Sequence, residues 1–163
     1  MLRARYLRGL TFLALVACHR AAQVPLPDTD RPLALLAKPT LAGPNLDPHD
    51  FAGKVVVVNI WSPGCVPCAH EAPGLQKIAD ELGPKGLELV TVMMEGTRPA
   101  AQAFVAKTGL RAPVVLGDDA IAGHFHLVAY PLTVVLGRDG KPEVAVRGSR
   151  EPDQFRELFA KYL

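Results

Sequence analysis

The 163-residue chain is 49% hydrophobic and 21% charged, the balance of one compact domain with one core. Its 15 prolines and 14 glycines make it turn-rich without reaching the level of disordered or collagen-like chains. The net charge is +2, of which Arg3, Arg5 and Arg8 supply three positive charges near the start, so the remainder carries −1. A near-neutral body with no run of like charge argues against a polynucleotide-binding role.

Residues 1–17 read MLRARYLRGLTFLALVA, a basic start followed by an apolar stretch from Leu10 to Ala17. The stretch is too short for a stable bilayer-spanning helix and suits the apolar region of a secretory signal. The ending Leu15-Val16-Ala17-Cys18 resembles the lipobox of bacterial lipoproteins. That resemblance implies cleavage before Cys18 and lipidation of its thiol. The alternatives are ordinary cleavage nearby, leaving Cys18 free, or retention of the leader as an anchor. His19 stands where an aspartate signals inner-membrane retention in many Gram-negative lipoproteins, so an outer-membrane anchor facing the periplasm is implied for a Gram-negative source.

Beyond the leader, the chain divides into a tether over residues 18–31, small, polar and proline-containing, and a domain over 32–163. Leu33 to Ala37 is expected as a short entry strand, and Pro39 to Pro48 as a loop around Gly43-Pro44-Asn45. Lys54 to Ile60 is a β-branched run, the mark of a strand buried on both faces. A helix is predicted from Cys65 to Leu82, kinked at Pro73. A second buried strand follows over Leu87–Met93, then a helix over Pro99–Thr108 closed by Gly109. Pro113 to Leu116 is short and extended, and Ala120 to Phe125 is a helical turn. Leu132–Leu136 and Glu143–Val146 form a hairpin across Arg138-Asp139-Gly140, and a helix over Glu151–Tyr162 ends the chain. This order describes an α/β fold, a mixed β-sheet with helices on both faces.

Cys65-Val66-Pro67-Cys68 stands directly after a buried strand and at the start of a helix. A thiol there meets unpaired backbone N–H groups and the positive end of the helix dipole, both of which favour the attacking thiolate. The second thiol, one turn on, can resolve a mixed disulfide. In an exported protein such a pair persists as a disulfide, yet a structural bridge rarely spans two residues at a helix start. The placement therefore points to redox chemistry.

The run Lys54-Val-Val-Val-Val-Asn-Ile-Trp-Ser-Pro-Gly-Cys-Val-Pro-Cys68, followed by Glu71 and Pro73, resembles the TlpA/ResA branch of the thioredoxin superfamily. Tyr130-Pro-Leu-Thr-Val-Val-Leu-Gly-Arg-Asp-Gly-Lys141 resembles that family's strand after its cis-proline, and the match spans about residues 46–163. The resemblance implies a thioredoxin-like fold, with Cys65 as nucleophile, Cys68 as resolving thiol and Pro131 as the cis-proline that presents backbone to an extended substrate. A strand-initiating proline is the plain alternative for Pro131. Glu71 is implied to lie by the active site and assist proton movement; the alternative is a solvated glutamate favoured by the helix dipole. Asn59 occupies the position of thioredoxin's buried aspartate. Trp61 is implied to shield the disulfide from beneath, core packing being the alternative. Tyr130 departs from the small or aliphatic residues usual before the cis-proline.

The implied activity is thiol–disulfide oxidoreduction on exported protein cysteines, more in the direction of reduction, as in cytochrome c maturation or copper-site assembly. The partners implied are protein thiols and disulfides, with an upstream membrane electron donor and the membrane itself through the Cys18 anchor. No prosthetic group and no metal are implied. Two alternatives stand: a copper-binding module of Sco type, using the cysteine pair with a histidine, and a disulfide-introducing oxidase. Sco-type pairs have three residues between their cysteines, and His70, His124 and His126 read more simply as solvated surface residues, while His19 and His49 offer no constellation. A peroxiredoxin role is disfavoured, because Val58 takes the place of that branch's proline.

Overall fold

The computed structural model describes residues 23–163; Cys18, His19 and the leader lie outside the described residues. Five strands form one sheet in the order β3-β2-β1-β4-β5. They are β1 (Val55–Trp61), β2 (Leu87–Met93), β3 (Val114–Leu116), β4 (Leu132–Leu136) and β5 (Pro142–Arg147). β1, β2 and β3 run parallel, while β4 and β5 are antiparallel additions on the other side of β1. The helices are α1 (Pro32–Leu35), α2 (Val66–Leu82), α3 (Arg98–Thr108), α4 (Asp119–His124) and α5 (Pro152–Ala160).

The β-branched run places β1 at the centre, where all seven of its residues are buried. Its alternation divides the core in two. Val55, Val57 and Trp61 face the cluster built with α2, α3 and α5. Val56, Val58 and Ile60 face the cluster built with α4, Phe51 and Leu36. Helices therefore cover both faces, as expected. Thr97 caps α3 by accepting the backbone N–H of Ala100, and Gly109 closes it in the left-handed region at φ 72°.

Residues 33–37, expected as a strand, instead supply the last three residues of a four-residue helix, α1 (Pro32–Leu35), and its closing turn. Pro32 opens it with its preset φ, and Leu36 closes it with its N–H on the Leu33 carbonyl while its side chain is fully buried. An apolar run this short has no period of its own, and burial of Leu36 decides its shape. Residues 23–31, within the stretch expected as a tether, lie against the fold. Gln23 bridges Val146, and Asp28 N–H donates to the His124 carbonyl at 2.8 Å.

Candidate active site

The end of β1 delivers Trp61 into the core, and the chain turns through Ser62-Pro63-Gly64 into α2. Cys65 is the N-cap: its backbone is extended (φ −80°, ψ 103°), and its Sγ accepts the Cys68 N–H at 3.2 Å. A sulfur thus takes the capping position usually held by Ser, Thr or Asp. Pro67 falls within the first two helical residues, where its missing N–H costs nothing. Cys65 and Cys68 form a disulfide with Sγ–Sγ 2.08 Å and Cα–Cα 5.3 Å. Cys68 is 1% exposed, while Cys65 is only partly buried, so Cys65 is the sulfur an incoming group reaches.

Pro131 is buried just before β4, and the Tyr130–Pro131 peptide is cis. β4 pairs with β1 so that Leu132 faces Ile60, which sets the Pro131 backbone at the same end of the sheet as the disulfide. Tyr130 packs partly into both core clusters. Burial first, then the charge of Glu95, pushes its phenol above the ordinary range. Trp61 is 1% exposed and stacks on Phe104 with ring centroids 4.0 Å apart. It shares its apolar cluster with Cys68 and with the partly buried Cys65, so it is packed in the core on the disulfide's side of the sheet.

Glu71, one turn beyond Cys68, is 2% exposed. Its Oε1 accepts Asn59 Nδ2 at 2.9 Å, and its Oε2 accepts the Arg150 backbone N–H at 3.2 Å. Asn59 Nδ2 also donates to Thr133 Oγ1 at 3.0 Å. Burial raises the Glu71 pKa from 4.5 to about 7, against the opposing pull of the Asn59 bond, the Arg150 N–H and the Arg150 charge. The solvated-glutamate alternative is therefore set aside, because α5 and the loop before it close over this face of α2. Gly74 permits that closure: a Cβ there would meet Pro152 Cγ at 2.7 Å. Arg150 is itself buried, with its guanidinium on the Arg147 and Gly148 carbonyls.

Thr133 and Arg150 went unrecognised in the sequence. Thr133 and Asn59 carry a readable signal, since a polar side chain inside a β-branched buried run needs a partner. Arg150 carries none, because it sits in an ordinary polar turn. His49, His70 and His124 are exposed, whereas His126 pairs its Nε2 with Asp28 Oδ1 at 3.0 Å. Among the described residues, no group of three or more His, Cys, Asp or Glu is arranged to hold a metal ion. The site can therefore form and break one disulfide, with a carboxyl that ionises near neutrality one helical turn away.

A family model described as Redoxin matches residues 21–152. Thiol-disulfide oxidoreductase ResA of Bacillus thuringiensis subsp. konkukian (strain 97-27) is 27% identical over 122 residues, covering 74% of this chain and 70% of that protein. A secreted Mycobacterium tuberculosis disulfide oxidoreductase, homologous to E. coli DsbE, superposes with a TM-score of 0.69 at 24% identity, covering 78% of this chain and 98% of its own. A thioredoxin-family thiol:disulfide interchange protein of Chlorobium tepidum TLS gives 0.72 at 18% identity, covering 87% and 97%. The fold is thioredoxin-like.

Proposed function

The chain belongs to the redoxin family, in its ResA/TlpA-like branch of thiol–disulfide oxidoreductases, and we propose that it reduces disulfides of exported proteins at the outer face of a membrane. The observation that carries this reading is the Cys65–Cys68 disulfide at the N-terminus of α2, with Pro131 at the same end of the sheet and Glu71 one turn behind. In the reduced protein the Cys65 thiolate, held at the helix N-terminus, attacks a substrate disulfide and forms a mixed disulfide. Cys68 then loses its proton and attacks Cys65 Sγ. The substrate's second thiol is released, and the Cys65–Cys68 bond re-forms. Two electrons have passed to the substrate. Glu71 is the carboxyl placed to accept the Cys68 proton, because residues three apart on a helix share a face.

Pro131 offers backbone beside Cys65 for an extended substrate segment, and Trp61 keeps water from the buried side of the disulfide. Suitable substrates are paired cysteines awaiting a haem or copper, and a membrane dithiol protein restores the reduced state. The secreted relative among the solved structures supports an extracytoplasmic location, and the leader ending in Cys18 supports a lipid anchor. No helix among the described residues is long and apolar enough to cross a membrane.

The direction of transfer rests on charge. No Lys, Arg or His lies between the cysteines, and an ionised Glu71 opposes negative charge on the thiols, which lowers the potential. Equilibration of Cys65–Cys68 with a glutathione or dithiothreitol buffer measures this directly. The expected potential lies nearer thioredoxin's, about −270 mV, than DsbA's, about −120 mV. A value near the latter would overturn the reductant reading and favour an oxidase.

A further inference from the structure

We propose that Glu95 is a positioning residue for exchange with polypeptide substrates: by holding the Tyr130 hydroxyl it fixes the Tyr130–Pro131 segment relative to the turn that carries Cys65. This rests on the reading of the protein as a reductant of protein disulfides, with the substrate chain lying beside Pro131.

The backbone around the cis peptide shows why a fastening is needed. Pro131 has no N–H, and its carbonyl already accepts the Gly148 N–H at 2.9 Å. The donor and acceptor left open for an extended chain are those of Tyr130, which enter no loop hydrogen bond among the described residues. Upstream, the last such bond runs from the Leu127 N–H to the Ala122 carbonyl at 2.9 Å. Val128 and Ala129 are exposed. Between Leu127 and Pro131 the chain is thus held by the Tyr130 side chain. Its ring packs against both core clusters, the one containing Cys68 and the one containing α4 residues. Its hydroxyl donates to the Glu95 carboxylate. Glu95 and Tyr130 line the same cavity of about 470 Å³, together with Met94, Ala122 and Leu127.

Glu95 is itself fixed to the cysteine turn. Trp61 and Met93 are partners across β1 and β2, and the Met94 N–H donates to the Trp61 carbonyl at 2.8 Å. The chain therefore leaves β2 level with the point where β1 gives way to Ser62-Pro63-Gly64. Two successive residues then take left-handed backbone, Glu95 at φ 54° and Gly96 at φ 97°. A Cβ on Gly96 would lie 3.2 Å from Pro63 Cγ, so this turn rests on the active-site loop. Glycine adopts such a conformation at no steric cost, whereas a glutamate is crowded by its Cβ. The chain keeps a carboxylate where the backbone alone would favour glycine, and that carboxylate meets Tyr130.

One side chain thus joins the two loops that bracket the disulfide. Cys65 follows the first, and the substrate's backbone lies along the second. The approach of the Cys65 thiolate to a substrate sulfur depends on how those loops are held, and small misplacements slow such attack steeply. A small disulfide has no chain to lay along Tyr130 and is insensitive to the fastening.

The test mixes reduced protein with one of two symmetric disulfides: 2-hydroxyethyl disulfide, or two capped, uncharged decapeptides joined through their single cysteines. Rate constants are read by thiol alkylation and mass spectrometry, and the ratio of peptide to small-disulfide rates reports positioning. Glu95→Gly suits the left-handed backbone, and Tyr130→Phe keeps the ring. Each should lower the ratio about tenfold, the effect of losing one hydrogen bond to a charged group. The double variant should lose no more than either single one, because both remove the same bond. Glu95→Gln, whose amide oxygen still accepts the hydroxyl, should recover most of the ratio, and the reduction potential should match the wild type throughout. An unchanged ratio in Glu95→Gly, losses that multiply in the double variant, or a shifted potential would overturn the positioning role alone. Wild-type protein that reduces the small disulfide but not the peptide one would overturn the protein-reductant reading, and the positioning role with it.

Discussion

Asn59 and Glu71 are joined by a buried hydrogen bond, Nδ2 to Oε1 at 2.9 Å, that ties the central strand to the helix carrying the cysteines. The amide is neutral, so Glu71 is the one carboxyl in this pair and titrates without a charged rival. Thr133 on β4 takes the other proton of the same Asn59 amide at 3.0 Å. Three elements thus converge on a single ionisable group behind the disulfide, and most of what can be tested about the site runs through it.

Stability should depend on pH through Glu71. Its folded pKa of about 7 lies above the ordinary 4.5, so the fold favours the neutral acid. The stabilisation is fully present below 4.5 and is lost as pH rises through about 7. A shift of this size corresponds to about 3 kcal/mol across the window. Glu71→Gln should flatten that slope, whatever its effect at a single pH. Urea unfolding of both oxidised proteins between pH 4 and 8 measures it, and parallel curves would show that Glu71 is not the titrating group.

Replacing the neutral amide with a second acid should disturb this arrangement. Asn59→Asp places two carboxyls at hydrogen-bonding distance, and like charges that close cannot both ionise easily. The pair should titrate in two separated steps, the upper one above the wild-type midpoint. Carboxyl carbon NMR across pH 3 to 10 resolves the steps. A single unshifted Glu71 transition would count against direct contact.

Arg150 should act on the same group through charge. Arg150→Met keeps the backbone N–H that Glu71 accepts but removes the guanidinium, whose field favours the carboxylate. The Glu71 midpoint should rise, and Arg150→Lys should restore part of the difference. Loss of the bonds to the Arg147 and Gly148 carbonyls should also cost about 1–3 kcal/mol of stability. If Met and Lys variants titrate alike, the side-chain charge does not reach Glu71.

The division of labour between the cysteines has its own signature. With Cys68→Ser, the partly exposed Cys65 should accumulate mixed disulfides with substrate, because no thiol remains to resolve them. Cys65→Ser should trap far fewer, since Cys68 is 1% exposed. Non-reducing electrophoresis after mixing with a disulfide-bearing substrate separates the two outcomes, and equal trapping would reverse the assignment of nucleophile.

Much of the scaffold was legible in the chain because it is written in local patterns. The run Lys54–Ile60 announces a strand buried on both faces, and β1 occupies Val55–Trp61. Leu87–Met93 is a strand over the expected span, and Gly109 ends α3 as anticipated, since only glycine takes φ 72° there at no cost. The cysteine pair at a strand-to-helix junction was equally plain, because a helix start and its unpaired N–H groups are local features.

What tertiary structure alone decided is whatever depends on residues far apart in sequence. Glu71 has a pKa of about 7 only because distant parts of the chain close over it and bury it, while Asn59 from β1 and Arg150 from before α5, twelve and seventy-nine positions away, supply the hydrogen bonds that hold the rise in check. Nothing in its own helix separates that glutamate from a solvated one. Likewise, Leu36 draws residues 32–35 into a helical turn because its side chain finds a closed apolar site, and Gln23–Val24 finds a strand edge on β5. Burial and edge pairing depend on which surfaces the whole chain brings together, so a short segment cannot encode them by itself.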